Sequence, residues 1–89
     1  MKHVVKRAGH TEPFDERKLY ASVYSACLAV RVPVGEAEVL ASQVSQDVIE
    51  SIKQKYEVTS GDIFRKCCLH FKGYNPDAAY IYEHSHNIR

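Results

Sequence analysis

The sequence predicts a mainly α domain: a small N-terminal β-hairpin covering a bundle of about four helices. Three observations predict it. Four stretches carry apolar residues at helical spacing, and most of them open on a capping residue. Only the first fourteen residues carry a hairpin pattern, two β-branched residues followed by a Gly-containing turn. The chain has 89 residues, 45% hydrophobic and 26% charged, which suits one core and one domain over residues 1–89. A lone hairpin is marginal in water, so this one has to lie on the helices.

Residues 3–7 form the first strand, with Val4 and Val5 at its centre. Residues 8–11 form the turn, where Gly9 is free to take positive φ. Residues 12–14 pair back as a stub of second strand, and Pro13 confines that stub to an edge or a strand end. Asp15 is the N-cap of the first helix. Leu19, Val23, Cys27 and Val30 mark its inner face to about residue 30. Residues 31–35 break the helix, with Pro33 and Gly35 as punctuation. The second helix is expected over about residues 36–54. Ala37, Leu40, Ala41, Val44, Val48 and Ile52 form its inner stripe, and Ser42, Gln46, Glu50 and Lys53 its outer side. Thr59 or Ser60 caps the third helix, with Asp62 adding negative charge at its N-terminus. Ile63, Cys67 and Phe71 give that helix its apolar spacing, and Gly73 and Tyr74 end it. Asn75 caps a short last helix with Pro76 in first position, and Ala78, Ala79, Ile81 and Tyr82 follow.

Composition narrows the function. The net charge is +1, so general attraction to nucleic acid or membrane is not expected and any positive field is local. No apolar run reaches membrane-spanning length, and the first residues lead into a strand rather than a signal peptide, so the expected compartment is the cytoplasm. The three cysteines, Cys27, Cys67 and Cys68, are odd in number and lack a CxxC pair. They read as reduced core thiols rather than a disulfide framework or zinc ribbon. His70, His84 and His86 add imidazoles, but no second well-spaced ligand pair accompanies them, so no metal site is expected. Tyr20, Tyr24, Tyr80 and Tyr82 stand at helical spacing and read as core or interface residues.

The opening stretch concentrates chemistry. Lys6, Arg7 and Lys18 surround the N-terminus of the first helix within sixteen residues, His3 to Lys18. Two readings fit. In one, Val4 and Phe14 pack on the helices and the cations are solvated. In the other, Lys6, Arg7 and Lys18 converge on phosphates, reinforced by the helix dipole. Phe14 and Leu19 then offer an apolar wall for a base, and Glu12 and Asp15 hydrogen-bond a ribose or base edge. No Walker motif or GxGxxG is present, so the site is neither a P-loop nor a Rossmann site.

The run from Val4 to Leu19, V-V-K-R-x-G-x-x-E-P-F-D-x-x-K-L, resembles the signature of the ATP-cone. This is the regulatory nucleotide-binding domain of ribonucleotide reductases and of the repressor of reductase genes. Val58-Thr59-Ser60 followed by Asp62-Ile63 resembles the family's V-T-S-x-x-I, and residues 78–82 resemble its closing A-A-Y-x-x-Y. The resemblance implies an ATP-cone-like fold and a role for each matching residue. Val4 and Val5 lie beside the base or run backbone past the nucleotide. Lys6, Arg7 and Lys18 hold phosphates, and Glu12 and Asp15 contact ribose or the adenine edge. Phe14, Leu19 and Ile63 line the adenine pocket, and Ser60 or Thr59 brings a hydroxyl to the ligand. Phe64 stands on the same wall, where some members carry a polar residue that reaches phosphate. Ala8 replaces the Asp of the familiar K-R-D-G, and Tyr82, Glu83 and His84 occupy the region where the closing helix often carries a cation.

The resemblance implies a non-catalytic regulatory domain. Its ligand is ATP or dATP, with Mg2+ as an optional companion. Its expected partners are a second copy of itself, in a homo-oligomer, or a ribonucleotide-reductase-type protein. The chain ends without a linker-like segment, and a free-standing protein is expected over an excised domain. The alternative is a helical protein-interaction or nucleic-acid-associated module that keeps the cone fold with weak or lost nucleotide binding. Catalysis is not expected, because the sequence offers no nucleophile with its base, no metal set and no paired catalytic carboxylates.

Overall fold

The computed structural model describes residues 3–5, 11–55 and 57–87. In chain order these form β1 (His3–Val5), β2 (Thr11–Pro13), α1 (Glu16–Ala29), α2 (Val34–Ile52), β3 (Glu57–Thr59), α3 (Ser60–Tyr74) and α4 (Pro76–Asn87). The fold is mainly helical with a small sheet, as the sequence predicts. No helix among the described residues is long and apolar enough to cross a membrane. Lys6, Arg7 and the expected turn residues 8–10 lie outside the described residues.

The sheet holds one strand more than the expected hairpin. Its order is β2-β1-β3, with β1 antiparallel to β2 and parallel to β3. β3 escapes sequence reading because three residues with one buried side chain, Val58, give no alternation to detect. β2 begins at Thr11, one residue earlier than expected, and its last residue is Pro13. That Pro sits at the end of an edge strand, where its missing N–H costs the ladder nothing.

The helices follow their caps. Asp15 Oδ1 accepts the Arg17 N–H at 3.0 Å and opens α1. At the other end, Val32 N–H donates to the Cys27 carbonyl at 3.1 Å and Arg31 N–H to the Leu28 carbonyl at 3.0 Å. This closure puts Arg31 at φ 65, in the left-handed region usually given to Gly. Burial of Val32 in the core offsets the strain. The turn is therefore made at Arg31 and not at Gly35, which lies inside α2. α2 starts two residues before the expected Glu36 because the Pro33 carbonyl accepts the Ala37 N–H at 2.8 Å. Asn75 Oδ1 accepts the Ala78 N–H at 3.0 Å and opens α4 with Pro76 in first position.

Packing runs around a closed ring, α1 on α2, α2 on α3, α3 on α4 and α4 back on α1. Leu19, Val23, Cys27, Ala37, Ala41, Val44, Val48, Cys67 and Phe71 fill its interior. A second, smaller cluster joins Val4 and Val58 from the sheet to Ile52 at the end of α2. Phe14 and Ile63 pack against both clusters and weld the sheet to the bundle.

Candidate functional site

The strand register fixes the geometry of the predicted site. Val4 pairs with Glu12 and Val58, so these three side chains share the sheet's inner face. Val4 and Val58 are buried there, and Glu12 is half-buried. Val5 pairs with Thr11 and Thr59 on the opposite face. The predicted strand residues are thus divided between two faces.

The parallel pair β1–β3 ends with Val5 and Thr59 side by side, and α3 begins at the next residue, Ser60. In sequence, Val5 runs straight into Lys6 and Arg7. The C-terminal ends of two parallel strands beside a helix N-terminus form a setting that suits anionic ligands, since the first N–H groups of the helix lack intrahelical partners. Asp15 and Lys18 come from the other direction. β2 brings Pro13 level with His3, at the far end of the sheet from Thr59, and α1 starts from there. The three-residue strands separate these ends by only about 7 Å.

Each remaining site residue has a definite place. Asp15 and Lys18 are exposed at the start of α1. Leu19 is 6% exposed and belongs to the main core. Phe14 and Ile63 are half-buried where the two clusters meet. Thr59 and Ser60 are exposed at the start of α3. Phe64 is half-buried and stacks on Tyr82, ring centroids 5.6 Å apart and planes 20° from parallel. Tyr82 in turn meets Phe71 edge-on at 5.9 Å. Phe64 therefore faces the aromatic interior.

The N-terminus of α3 is a reciprocal capping box. Thr59 Oγ1 accepts the Asp62 N–H at 2.9 Å, and Asp62 Oδ2 accepts the Thr59 N–H at 3.1 Å. Of the two hydroxyls that could cap, Thr59 does so, and Ser60 is left as the first helical residue. The Thr59 backbone N–H, then its side chain, hold the Asp62 carboxyl below the usual carboxylate range, helped by the charges of Arg65 and Lys55. Arg65 Nη2 donates to Asp62 Oδ1 at 2.5 Å. Sequence reading did not single out Arg65, because only the helical turn brings residue 65 back over residues 61 and 62.

The cysteines are not poised for chemistry. All three are free thiols. Burial pushes Cys67 up to about 12 and Cys68 up to about 11. Burial, then the Glu36 charge, raises Cys27 as well. His70 Nε2 lies 2.8 Å from Ser51 Oγ and ties α3 to α2. No group of three His, Cys, Asp or Glu among the described residues is placed to hold a metal ion. A shallow groove on α2, lined by Val39, Ser42, Gln43 and Gln46, shares no residue with the predicted site.

Residues 2–66 fit the family model described as ATP cone domain. No curated protein matches the chain.

Proposed function

The chain belongs to the ATP-cone family, and from that membership we propose that it is a non-catalytic regulatory module whose ligand is ATP or dATP. The family match carries this reading, because residues 2–66 take in both the stretch from Val4 to Leu19 and the segment from Thr59 to Phe64. The register of Val5 on Thr59 supports it by bringing the end of β1, after which the sequence continues into Lys6 and Arg7, to the N-terminus of α3. The sheet is short enough for one nucleotide to reach from that end to Lys18 and Asp15. Lys6, Arg7 and Lys18 hold its phosphates, with Mg2+ as an optional companion. Phe14, Ile63 and the edge of Phe64 border the base, with Leu19 behind them.

Regulation works by linkage. Two nucleotides shift an association equilibrium only by the difference in their affinities for the two states. ATP and dATP differ in one ribose hydroxyl, so discrimination rests on one or two contacts, at Glu12 or Asp15. The equilibrium they shift is self-association or docking on a ribonucleotide-reductase-type protein in the cytoplasm.

Calorimetric titration of the folded chain with ATP, dATP and ADP, with and without Mg2+, tests the proposal. Micromolar binding of ATP or dATP is the expected result. Absence of binding at millimolar ATP would sink it. Light scattering on the same samples tests the association step, which is lost if neither nucleotide changes the mass. One observation favours the second reading, a cone fold with weakened nucleotide binding: Phe64 offers an aromatic ring, stacked on Tyr82, and no polar atom for phosphate.

A further inference from the structure

Resting on the reading of a nucleotide-regulated association, we propose that the outer face of α2 is where two copies of this chain meet, as an antiparallel helix pair. Glu36, Val39, Gln43, Gln46, Glu50 and Lys53 follow one another at alternating spacings of three and four residues. All six are exposed, and they form one stripe along the helix, opposite the face that packs on α1 and α3. Such a stripe is the seam along which a second helix lies. Val39 on it is 58% exposed, one of the most exposed large apolar side chains of the fold. Val39, Ser42, Gln43 and Gln46 surround a shallow groove. They stand at i, i+3, i+4 and i+7, the outline of a hole that receives one side chain of a facing helix. Tyr74, itself 43% exposed, flanks the stripe, with its hydroxyl donating to Asp47 Oδ2 at 2.6 Å and lying 3.3 Å from Gln43 Oε1.

The order of the residues along the stripe selects the occupant. A two-fold axis midway between Gln43 and Gln46 sets Gln43 against the second copy's Gln46, whose side chain then lies over the groove. It sets Val39 against the stem of the second copy's Glu50. It also sets Glu36, in the first turn of α2, against the second copy's Lys53 at the opposite end. Each contact occurs twice, as an isologous interface requires. A parallel pair would set Glu36 on Glu36 and Lys53 on Lys53, so the charges choose the antiparallel arrangement. Other occupants fit less well. From Val34 to Ile52 the helix carries acids but no Lys or Arg, which repels a phosphate backbone, and one exposed Val is too little for a membrane surface.

The size of the contact suits regulation. A 19-residue helix is about 28 Å long, and a single helix pair buries less than the roughly 800 Å² per partner of a stable dimer. Association is therefore weak and reversible, and a modest difference in nucleotide affinity between the two states shifts it. One end of the stripe is also tied to the sheet. Ile52, next to Lys53, shares a buried cluster with Val4 and Val58.

Sedimentation velocity on the full chain from about 10 μM to about 1 mM, without nucleotide and with ATP or dATP, tests the proposal. The wild type is expected to dimerise within this range. Val39→Asp, Glu36→Lys and Lys53→Glu are each expected to weaken the dimer about tenfold, since every change acts twice across the axis. The double variant Glu36→Lys with Lys53→Glu restores it, because the swap recreates both charge pairs. All the positions are exposed, and urea midpoints close to the wild type show that the variants fold. A wild type that stays monomeric throughout, or variants that dimerise as the wild type does, overturns the proposal. Calorimetry on the same samples separates the two readings: a wild type that binds no ATP sinks the nucleotide reading, while dimerisation without nucleotide and its loss in the variants still decide the surface.

Discussion

Thr59 and Asp62 close the first turn of α3 on each other, Oγ1 accepting at 2.9 Å in one direction and Oδ2 at 3.1 Å in the other. This pair fixes where β3 ends and α3 begins. It therefore also sets the position of Ser60 against the end of β1.

Thr59→Ala removes the cap acceptor and leaves an N–H of the first turn without its partner. A loss of about 1 kcal/mol is expected, read as a lower urea midpoint at unchanged slope. Thr59→Ser keeps the hydroxyl and should lie close to the wild type.

Acid should weaken the same cap. The folded-state carboxyl of Asp62 is held below its ordinary value, first by the Thr59 N–H. Its stabilisation is therefore fully present above the unfolded-state value of about 3.9 and is lost as pH falls through the folded value. Melting temperatures measured from pH 5 down to pH 2 should fall more steeply in the wild type than in Asp62→Asn. Parallel curves would show that the carboxylate contributes nothing.

The thiols should resist modification at neutral pH. Cys27 and Cys67 are fully buried, and Cys67 is pushed up to about 12. Reaction with a disulfide reagent at pH 8 should be slow for the native chain, with the half-buried Cys68 first, and should release three equivalents rapidly in denaturant. The alkaline consequence follows in sign. A thiol raised in the folded state contributes stability that is present below the unfolded value of about 8.5. That stability declines as pH rises from there towards the folded value, so the urea midpoint should drop above about pH 9.

Lys18→Ala separates binding from folding. Lys18 is exposed in the first turns of α1 and lies outside both apolar clusters. Its removal should leave the urea midpoint within about 0.5 kcal/mol of the wild type and weaken ATP binding about tenfold, measured by calorimetry. Unchanged affinity would remove Lys18 from the site.

Much of the fold was legible because its signals are local. Asp15, Thr59 and Asn75 cap helices through hydrogen bonds to N–H groups two or three residues ahead, and such pairs can be read directly from the chain. The apolar stripe of α2, from Ala37 to Ile52, needed only the helical period. Where local signals conflicted, the tertiary structure decided. Gly35 and Pro33 both punctuate the break expected over residues 31–35, and within it the positive φ falls on Arg31, beside the buried Val32. Leu19, expected both on the inner face of the first helix and beside the base, belongs to the main core, and Phe14 joins the two clusters; burial of this kind depends on neighbours far along the chain.

The sequence alone determined the four helices, the Asp15 and Asn75 caps and the family signature. Those follow from interactions spanning a few residues and from a motif that is contiguous from Val4 to Leu19. Only the tertiary structure decided that Glu57–Thr59 is a strand, that it lies parallel to β1, and that Thr59 therefore meets Val5. A three-residue strand with one inward side chain has no period to read, and its partner lies more than fifty residues away. The same long-range pairing brings the N-terminus of α3 to the end of β1, a juxtaposition that no spacing in the chain announces.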